Sequence, residues 1–323
     1  MIPYLNAVQL AVALPYSTLI PALREAFRAG GAEAPARHVH PISPASDAVL
    51  LLMPVWQPDR HTGVKVVTVA PRNPQRQLPT VHSVFMLFDS ATGAPICLMD
   101  GEELTLRRTA AAYALASTYL SRPDSSHLLV IGTGSLAPYL AAAHCKARPV
   151  RTVTVWGRNP DSTARTANLL HVQLGADGIA VQIASDLEAA VGSADIISCA
   201  TTSTVPIVQG LWVRPGAHVD LVGGFRPNMR EADDALMSGA AVFVDTFAGA
   251  LAEAGDLLQP MQVGRLTRDA IHAELADLCA GRHPGRTAAA QVTLFKSVGA
   301  ALEDLCGADL AWDFHQHAAT ANT

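Results

Sequence analysis

The most constraining feature of this chain is a glycine turn that follows a short apolar run. Residues 127–131 (His-Leu-Leu-Val-Ile) predict a buried strand, and Gly132-Thr133-Gly134-Ser135-Leu136-Ala137 follows at once, before a helix predicted over 138–146. Two glycines at this spacing let the backbone turn tightly and approach a pyrophosphate, whose charge the next helix N-terminus stabilises. The G-x-G-x-x-A pattern therefore indicates a dinucleotide-binding βα unit, although a glycine turn without a ligand is the alternative.

The rest of the chain supports two kinds of architecture. Beyond the turn, strands predicted over 153–156, 194–200 and 217–222 alternate with helices, which is typical of a parallel sheet. Before it, the sequence predicts α+β structure: strands over 48–53, 64–69 and 81–88, a hairpin turn at 89–95 and an Ala-rich helix at about 104–119. The polar stretch 121–126 is the predicted domain boundary. The fold class is thus α/β, a Rossmann domain with an α+β domain.

Composition excludes several classes of function. The chain has 323 residues, 50% of them hydrophobic, and a net charge of −5 with no basic cluster, so neither nucleic acid nor a membrane surface is expected as a partner. Its five cysteines form no C-x-x-C pair. No basic leader or apolar run of roughly 18 residues is found. We expect a cytoplasmic protein with a small-molecule substrate.

The residues after the second Rossmann strand bear on the choice of cofactor. An NAD site usually has an acid at this strand tip, whereas a 2′-phosphate requires a cation. Here the tip is Gly157-Arg158-Asn159, and Arg158 has the planar donors that grip a phosphate. Asp161 has a simpler role, because Asn159 can cap a helix with Pro160 first and Asp161 in its first turn. NADP(H) is favoured and NAD(H) is the alternative; an ordinary surface arginine is also open.

Ordered motifs over nearly the whole chain resemble the ornithine cyclodeaminase and mu-crystallin family, which also contains alanine dehydrogenases and reductases of cyclic imines. The matching segments, in addition to the glycine turn, are Pro35-Ala36-Arg37-His38-Val39, Gly63-Val64-Lys65-Val66-Val67, Leu78-Pro79-Thr80, Leu106-Arg107-Arg108-Thr109-Ala110-Ala111, Ala200-Thr201-Thr202-Ser203-Thr204, Pro215-Gly216-Ala217-His218, Glu253-Ala254-Gly255-Asp256 and Thr293-Leu294-Phe295-Lys296-Ser297-Val298-Gly299.

The resemblance implies a homodimer in which a Rossmann domain, 121–294, is inserted in a substrate and dimerisation domain, 1–120 completed by about 295–323. The active site would lie between the domains. By position, the residues that hold the carboxylate of an amino or imino acid would be Arg37, Lys65, Thr80 and Arg108. Fixed cations can orient a carboxylate for reaction.

Each cation also has an ordinary interpretation. Arg37 could be a surface charge before a strand, Lys65 could mark an edge strand, and Arg107-Arg108 could lie on a solvated helix face. Lys65 is the most informative, because its valine neighbours predict a desolvated amine that can exchange a proton.

The residues predicted to contact the dinucleotide are Gly132, Gly134, Ser135, Leu136, Arg158, Asn159, Thr201, Thr202, Lys296 and Ser297. Of these, Thr201 and Thr202 are assigned by the resemblance. A hydroxyl-rich turn is the alternative for Thr201 and Thr202. Ser135 and Leu136 depart from the family, which often has Gln at the latter position, so pyrophosphate binding there is left to backbone groups.

The sequence does not indicate metal or hydrolase chemistry. His38 and His40 would share a face of a strand, and His315 and His317 lie in a polar tail, without further ligands at zinc-like spacing. No serine stands in a G-x-S-x-G elbow.

Phe225 distinguishes between reactions of the family. Cyclodeaminases of the family have Asp here, an acid thought to help water add to the iminium, and phenylalanine cannot exchange a proton. Glu231, Asp233 and Asp234 follow, but a helix predicted there makes capping or dipole complementarity the simpler role for them. Imine reduction needs mainly cofactor geometry, a carboxylate anchor and a dry pocket, to which Phe225 could contribute.

We therefore predict an NAD(P)H-dependent reductase of a cyclic ketimine carboxylate of the Δ1-pyrroline-2-carboxylate or Δ1-piperideine-2-carboxylate type. Lys65 and Arg108 are the predicted catalytic residues, and Arg37, Thr80 and Phe225 would also contact the substrate. The alternatives are an ornithine cyclodeaminase, which forms proline and ammonia, and a non-catalytic NADPH-binding protein of the mu-crystallin kind.

Overall fold

The computed structural model describes residues 2–43, 47–58 and 60–320, and it divides into two compact units. The first comprises Met1–Thr109 with Ala300–Thr323, and the second comprises Ala110–Gly299. Both this division and the sequence-based one insert a middle segment into a split domain. The chain enters the second unit inside a helix, between residues 109 and 110, and leaves it between residues 299 and 300. The sequence predicts these two boundaries at 120/121 and 294/295.

A six-stranded sheet dominates the first unit. Its strands are β1 (Tyr4–Leu5), β2 (His38–Ser43), β3 (Ala48–Trp56), β4 (His61–Val69), β5 (Val81–Asp89) and β6 (Pro95–Asp100). They lie in the order β1-β6-β5-β4-β3-β2, antiparallel except for the β1–β6 pair. The predicted strands and the hairpin turn at 89–95 are confirmed. Because side chains alternate along a strand, Lys65 lies on the buried face of β4 together with Val67 and Val69.

Three helices follow or flank this sheet: α1 (Ala7–Ala13), α2 (Tyr16–Ala29) and α3 (Gly101–Leu120). The Asn6 side chain caps α1 in a capping box with Gln9. Helix α3 starts directly after β6, and the Asp100 carboxylate accepts the Glu103 N–H at 2.8 Å. This start fixes the register that turns Arg108 to the inside of the first unit.

The second unit contains an eight-stranded parallel sheet. Its strands are β7 (His127–Ile131), β8 (Thr152–Trp156), β9 (Ala180–Ile183), β10 (Ile196–Cys199), β11 (His218–Leu221), β12 (Ala241–Val244), β13 (Ile271–Glu274) and β14 (Thr293–Lys296). Their order is β13-β12-β14-β11-β10-β7-β8-β9. The chain moves outwards from β7 to β9 and then returns to β10 on the other side of β7. This reversal is the point at which such sheets bind dinucleotides, so the predicted Rossmann fold is confirmed.

The helices of the second unit are α4 (Leu136–Ala147), α5 (Pro160–Leu174), α6 (Leu187–Ser193), α7 (Asp234–Gly239), α8 (Phe247–Glu253), α9 (Gly255–Gln262) and α10 (Leu275–Cys279). The chain then returns to the first unit in α11 (Ala301–Thr320). Strand β14 lies between β11 and β12, although it is the last strand in the chain. No helix in the described part of the chain is long and apolar enough to cross a bilayer.

Candidate active site

The glycine turn after β7 has the geometry of a dinucleotide site. Gly132 has a φ of +115°, and a Cβ there would lie 2.3 Å from the carbonyl oxygen of Ala200, which follows β10. Only glycine permits this close approach. A Cβ at Gly134 would have no atom within 4 Å, so the backbone there borders open space. Helix α4 begins two residues later, and its N-terminus suits a pyrophosphate.

The two polar residues that follow β8, Arg158 and Asn159, differ in their surroundings. The Asn159 side chain accepts the Ser162 N–H at 2.9 Å and caps α5, whose first residue is Pro160. The interpretation of Asp161 as a first-turn acid of this helix is confirmed. Arg158 is exposed at the tip. The Asn159 amide oxygen therefore serves the helix, and the binding of a phosphate by Arg158 stays a prediction.

Thr201, just beyond β10, binds a buried carboxylate. Its N–H and its hydroxyl both donate to Glu231 Oε1, at 2.6 and 2.8 Å, and Glu231 Oε2 accepts the Gly223 N–H at 2.7 Å. Thr202 is exposed. The capping interpretation is right for Asp233, which caps α7, and for Asp234 in its first turn, but it is wrong for Glu231. Glu231 precedes the cap by two residues and is fully buried.

Lys296 lies at the end of β14, beside the same loops. Its amine donates to the carbonyl oxygens of Leu221, at 3.1 Å, and of Gly223, and it lies 3.2 Å from Asp256 Oδ2. Burial raises the pKa of Glu231 to about 7, against the lowering effect of the Lys296 cation. Sequence reasoning missed this ion cluster because Glu231 stands next to residues that do cap a helix.

Ser297 faces the interior of the second unit. Its hydroxyl donates to Asp245 Oδ2 at 2.8 Å, and its N–H donates to the Tyr113 hydroxyl oxygen at 3.1 Å. The side chains of Lys296 and Ser297 therefore bind protein groups. Their assignment to the dinucleotide stays a prediction.

Phe225 lies in the loop after β11 and is 40% exposed. The Arg226 guanidinium carbon is 5.8 Å from the centre of its ring. Behind it, the carbonyl oxygen of Gly224 accepts the Gly255 N–H at 3.0 Å, so the start of α9 holds the base of the loop. The loop presents an aromatic side chain at the surface of the second unit.

In the first unit, Lys65 and Arg108 surround one buried carboxylate. Lys65 Nζ lies 2.9 and 2.8 Å from the two carboxylate oxygens of Asp304, and Arg108 Nε donates to Asp304 Oδ1 at 2.9 Å. Arg108 also pairs with Glu303, and Lys65 donates to the Thr105 hydroxyl at 3.2 Å. The residue exposures of Lys65 and Arg108 are only 3% and 5%. Two of the predicted site residues are thus brought together by α11.

Burial and charge set the ionisation of this cluster. Burial lowers the pKa of Lys65 to about 8; Asp304 opposes that shift, and Arg108 and Arg37 add to it. Burial acts in the same direction on Arg108, but Asp304 and Glu303 hold its pKa above the usual value. The two cations in turn lower the pKa of Asp304 in spite of its burial. The arginine is a fixed cation, and the lysine can exchange a proton near neutral pH.

The ordinary interpretations of the cations are largely wrong. Strand β4 lies inside the sheet between β3 and β5, so Lys65 does not mark an edge. Arg108 is buried and does not lie on a solvated face. Arg37, partly buried just before β2, is close enough to lower the Lys65 pKa. Thr80 is partly buried before β5, where its carbonyl oxygen accepts the Ala70 N–H at 2.7 Å.

Known proteins resemble the chain over almost its whole length. A model of the ornithine cyclodeaminase/mu-crystallin family matches residues 4–318. A Δ1-pyrroline-2-carboxylate reductase of Colwellia psychrerythraea is 38% identical over 308 residues, which cover 94% of this chain and 96% of the relative. The ketimine reductase mu-crystallin of Rattus norvegicus is 33% identical over 304 residues, which cover 92% of each chain.

A solved structure of Δ1-pyrroline-2-carboxylate reductase from Thermococcus litoralis, in complex with NADH and L-proline, has a similar fold. The TM-score is 0.91 at 34% sequence identity, and the match covers 97% of each chain. That relative binds a nicotinamide dinucleotide and a cyclic amino acid.

Proposed function

The chain belongs to the ornithine cyclodeaminase/mu-crystallin family, and we propose that it is an NAD(P)H-dependent oxidoreductase that reduces a cyclic ketimine carboxylate to the cyclic amino acid. The substrate is of the Δ1-pyrroline-2-carboxylate or Δ1-piperideine-2-carboxylate type. The observation that carries the proposal is the burial of Lys65 and Arg108 around Asp304, which pairs a fixed cation with an amine of depressed pKa.

Arg108 orients the substrate carboxylate in this proposal. A guanidinium has five N–H donors, and the bonds to Glu303 and Asp304 use two of them. Arg108 can therefore keep both partners and bind a carboxylate as well. Arg37 adds positive charge to the same region, and Thr80 supplies a hydroxyl.

Lys65 controls the proton of the reaction. Reduction of C=N adds a hydride to carbon and a proton to nitrogen. At pH values below about 8 the Lys65 amine is protonated and can donate that proton to the imine nitrogen. Phe225 keeps water from the imine, which would otherwise be hydrolysed to an open-chain ketone.

The second unit holds the cofactor, which supplies the hydride when bound. Gly132, Gly134 and the backbone at Ser135 and Leu136 receive the pyrophosphate at the start of α4, with Thr201 and Thr202 on the neighbouring loop. Arg158 binds the 2′-phosphate of NADP(H), which the enzyme prefers to NAD(H).

The chain also forms a homodimer in this proposal. Strand β2 is an edge strand of the first unit, and its Val39 and Ile42 side chains are each 54% exposed. The unpaired backbone groups of such an edge strand are a template for pairing with another chain. Light scattering should give twice the mass of one chain; a monomer at micromolar concentration would contradict this part of the proposal.

The test of the activity is oxidation of NADPH, and separately of NADH, by the purified protein against five- and six-membered cyclic ketimine carboxylates. We expect oxidation matched by formation of the cyclic amino acid. Ornithine with NAD is the control reaction: proline and ammonia formed in equal amounts would favour the cyclodeaminase instead. Dinucleotide binding without turnover of any imine would favour a binding protein.

A further inference from the structure

We propose that Glu231 is a positioning residue: its carboxylate locks two loops of the cofactor-binding edge together, and the ionised form is required for full dinucleotide affinity. This inference rests on the nicotinamide cofactor of the proposed function. It concerns only the second unit and is independent of the substrate.

The Glu231 carboxylate bridges the loops that follow two neighbouring strands. Oε1 accepts the N–H and hydroxyl of Thr201, after β10, and Oε2 accepts the N–H of Gly223, after β11. Both oxygens therefore accept an N–H donor. Such a bridge needs two acceptor oxygens, which an ionised carboxylate provides and an amide does not.

Glu231 is itself held in place by backbone bonds. Its N–H donates to Asp256 Oδ1 at 2.7 Å, and its carbonyl oxygen accepts the N–H groups of Ile207 and Val208 at 2.8 and 2.9 Å. Lys296 connects two neighbours of Glu231, because its amine donates to the carbonyl oxygen of Gly223 and pairs with the Asp256 carboxylate. Because these bonds fix the Glu231 backbone, a change in the protonation of its carboxylate alters the positions of the two loops rather than that of Glu231 itself.

The bridge is connected to the glycine turn by one peptide. Thr201 directly follows Ala200, whose carbonyl oxygen is the atom that Gly132 approaches. A shift of Thr201 by a few tenths of an ångström therefore displaces the floor of the predicted pyrophosphate site. This contact explains how a residue that does not touch the cofactor can change its affinity.

The ionisation of Glu231 depends on a small set of groups. Lys296 on β14 and Asp256 on α9 act on it directly, the Cys199 thiol on β10 is hydrogen-bonded to it, and the Tyr113 hydroxyl on α3 interacts with it only through its charge. Burial raises the Glu231 pKa to about 7, an effect to which the Asp256 carboxylate adds and which the Lys296 amine opposes. Protonation then replaces one acceptor by a hydroxyl and weakens the hold on one loop.

The test is binding of NADH alone, which lacks the 2′-phosphate that titrates at about pH 6, measured one pH unit below and one above the Glu231 pKa of about 7. Wild-type protein should bind more weakly at the lower pH. Glu231→Gln should bind on the order of tenfold more weakly than wild type at the higher pH, since one buried N–H loses its acceptor, and should show no such pH dependence. The matched control is Asp234→Asn, which removes the half-exposed carboxylate that pairs with the mostly buried Arg230, lies outside the bridge to Thr201 and Gly223, and should bind as wild type does.

A second variant keeps the test valid if Glu231→Gln does not fold. Thr201→Val removes one donor to the carboxylate, so the pH midpoint of binding should rise by about one unit, and Thr201→Ser should restore it. An unchanged midpoint in Thr201→Val, or equal affinity and pH dependence in Glu231→Gln and wild type, would overturn the inference. If wild-type protein binds neither dinucleotide, the proposed function fails as well.

Discussion

Lys65 is the residue whose ionisation bears most directly on the proposed reaction. Burial lowers its pKa to about 8 from the usual 10.5 of a lysine, so the amine is charged below pH 8 and neutral above it. If the charged amine is required, kcat/KM should be level below about pH 8 and then fall tenfold per pH unit. The arginine of Lys65→Arg keeps its charge, so the fall in kcat/KM above pH 8 should disappear even if the rate is lower. If the same fall persists in Lys65→Arg, it is caused by another group.

Arg108 needs a conservative substitution to reveal its role. Alanine would leave Glu303 and Asp304 buried beside the gap, which costs about 3–5 kcal/mol and threatens the fold. Arg108→Lys keeps the charge but loses the planar fork, so KM for the imine should rise at least about tenfold with NADPH affinity unchanged.

Arg107→Lys is the matched control, because Arg107 is the neighbouring arginine on α3 and pairs with Glu103. It should leave the KM for the imine within about twofold of wild type, as expected for a partly exposed pair. Equal effects in the two variants would remove Arg108 from the substrate site.

Phe225 can be tested with little risk to the fold, because an exposed side chain contributes little to stability. Phe225→Leu should retain most imine reduction if the ring acts by excluding water. Phe225→Asp should lower kcat at least about tenfold, which corresponds to about 1.4 kcal/mol, without a matching loss of melting temperature. If Phe225→Asp reduces imines as fast as wild type, the water-excluding role is wrong. Ornithine turnover by this variant should be measured alongside.

At the scale of elements, substitutions at the two glycines of the turn after β7 distinguish an effect on stability from an effect on dinucleotide binding. A Cβ at Gly132 would clash with the Ala200 carbonyl and need a left-handed φ, so Gly132→Ala should lower the unfolding free energy by more than about 1 kcal/mol and abolish NADPH binding. Gly134→Ala has room for its Cβ. It should change stability by less than about 0.5 kcal/mol yet weaken NADPH binding at least about tenfold, because the pyrophosphate approaches there. Normal binding by Gly134→Ala would contradict the assignment of this turn.

The local sequence pattern predicted the helices and strands well where a single hydrophobic periodicity dominates. The buried run at 127–131, the glycine turn and the helix after it are confirmed, because short-range packing and backbone geometry alone determine them. Glu231 was misinterpreted since sequence proximity to Asp233 says nothing about the loops at Thr201 and Gly223, which approach it only in the folded sheet. The insertion of β14 between β11 and β12 likewise depends on long-range pairing, which one sequence does not display.

At the scale of the whole molecule, the order of motifs carried more information than any single residue. The family resemblance correctly predicted the α/β class with its Rossmann domain and the kind of reductase that the relatives represent. It assigned Lys65 and Arg108 to the substrate site, which stays a prediction, and it did not indicate the carboxylates that pair with them. Asp304 on α11 lies 239 residues after Lys65 and 196 after Arg108, and no local pattern connects it or Glu303 to β4 or α3 before the chain is folded.

Cofactor preference can be tested on the stability of the whole chain. A ligand that binds only the folded state raises the unfolding free energy, by about 2.7 kcal/mol at 100 times its Kd and by about 1.4 kcal/mol at ten times. If Arg158 binds the 2′-phosphate, NADPH should stabilise more than NADH at equal concentration, by about this difference for tenfold selectivity. Arg158→Ala should make the two dinucleotides equal, chiefly by weakening NADPH. Hydrogen exchange should show the added protection in the second unit, at the ends of β7 and β10. Equal stabilisation of the wild-type chain by NADH and NADPH would instead show that Arg158 is an ordinary surface arginine that does not bind the 2′-phosphate.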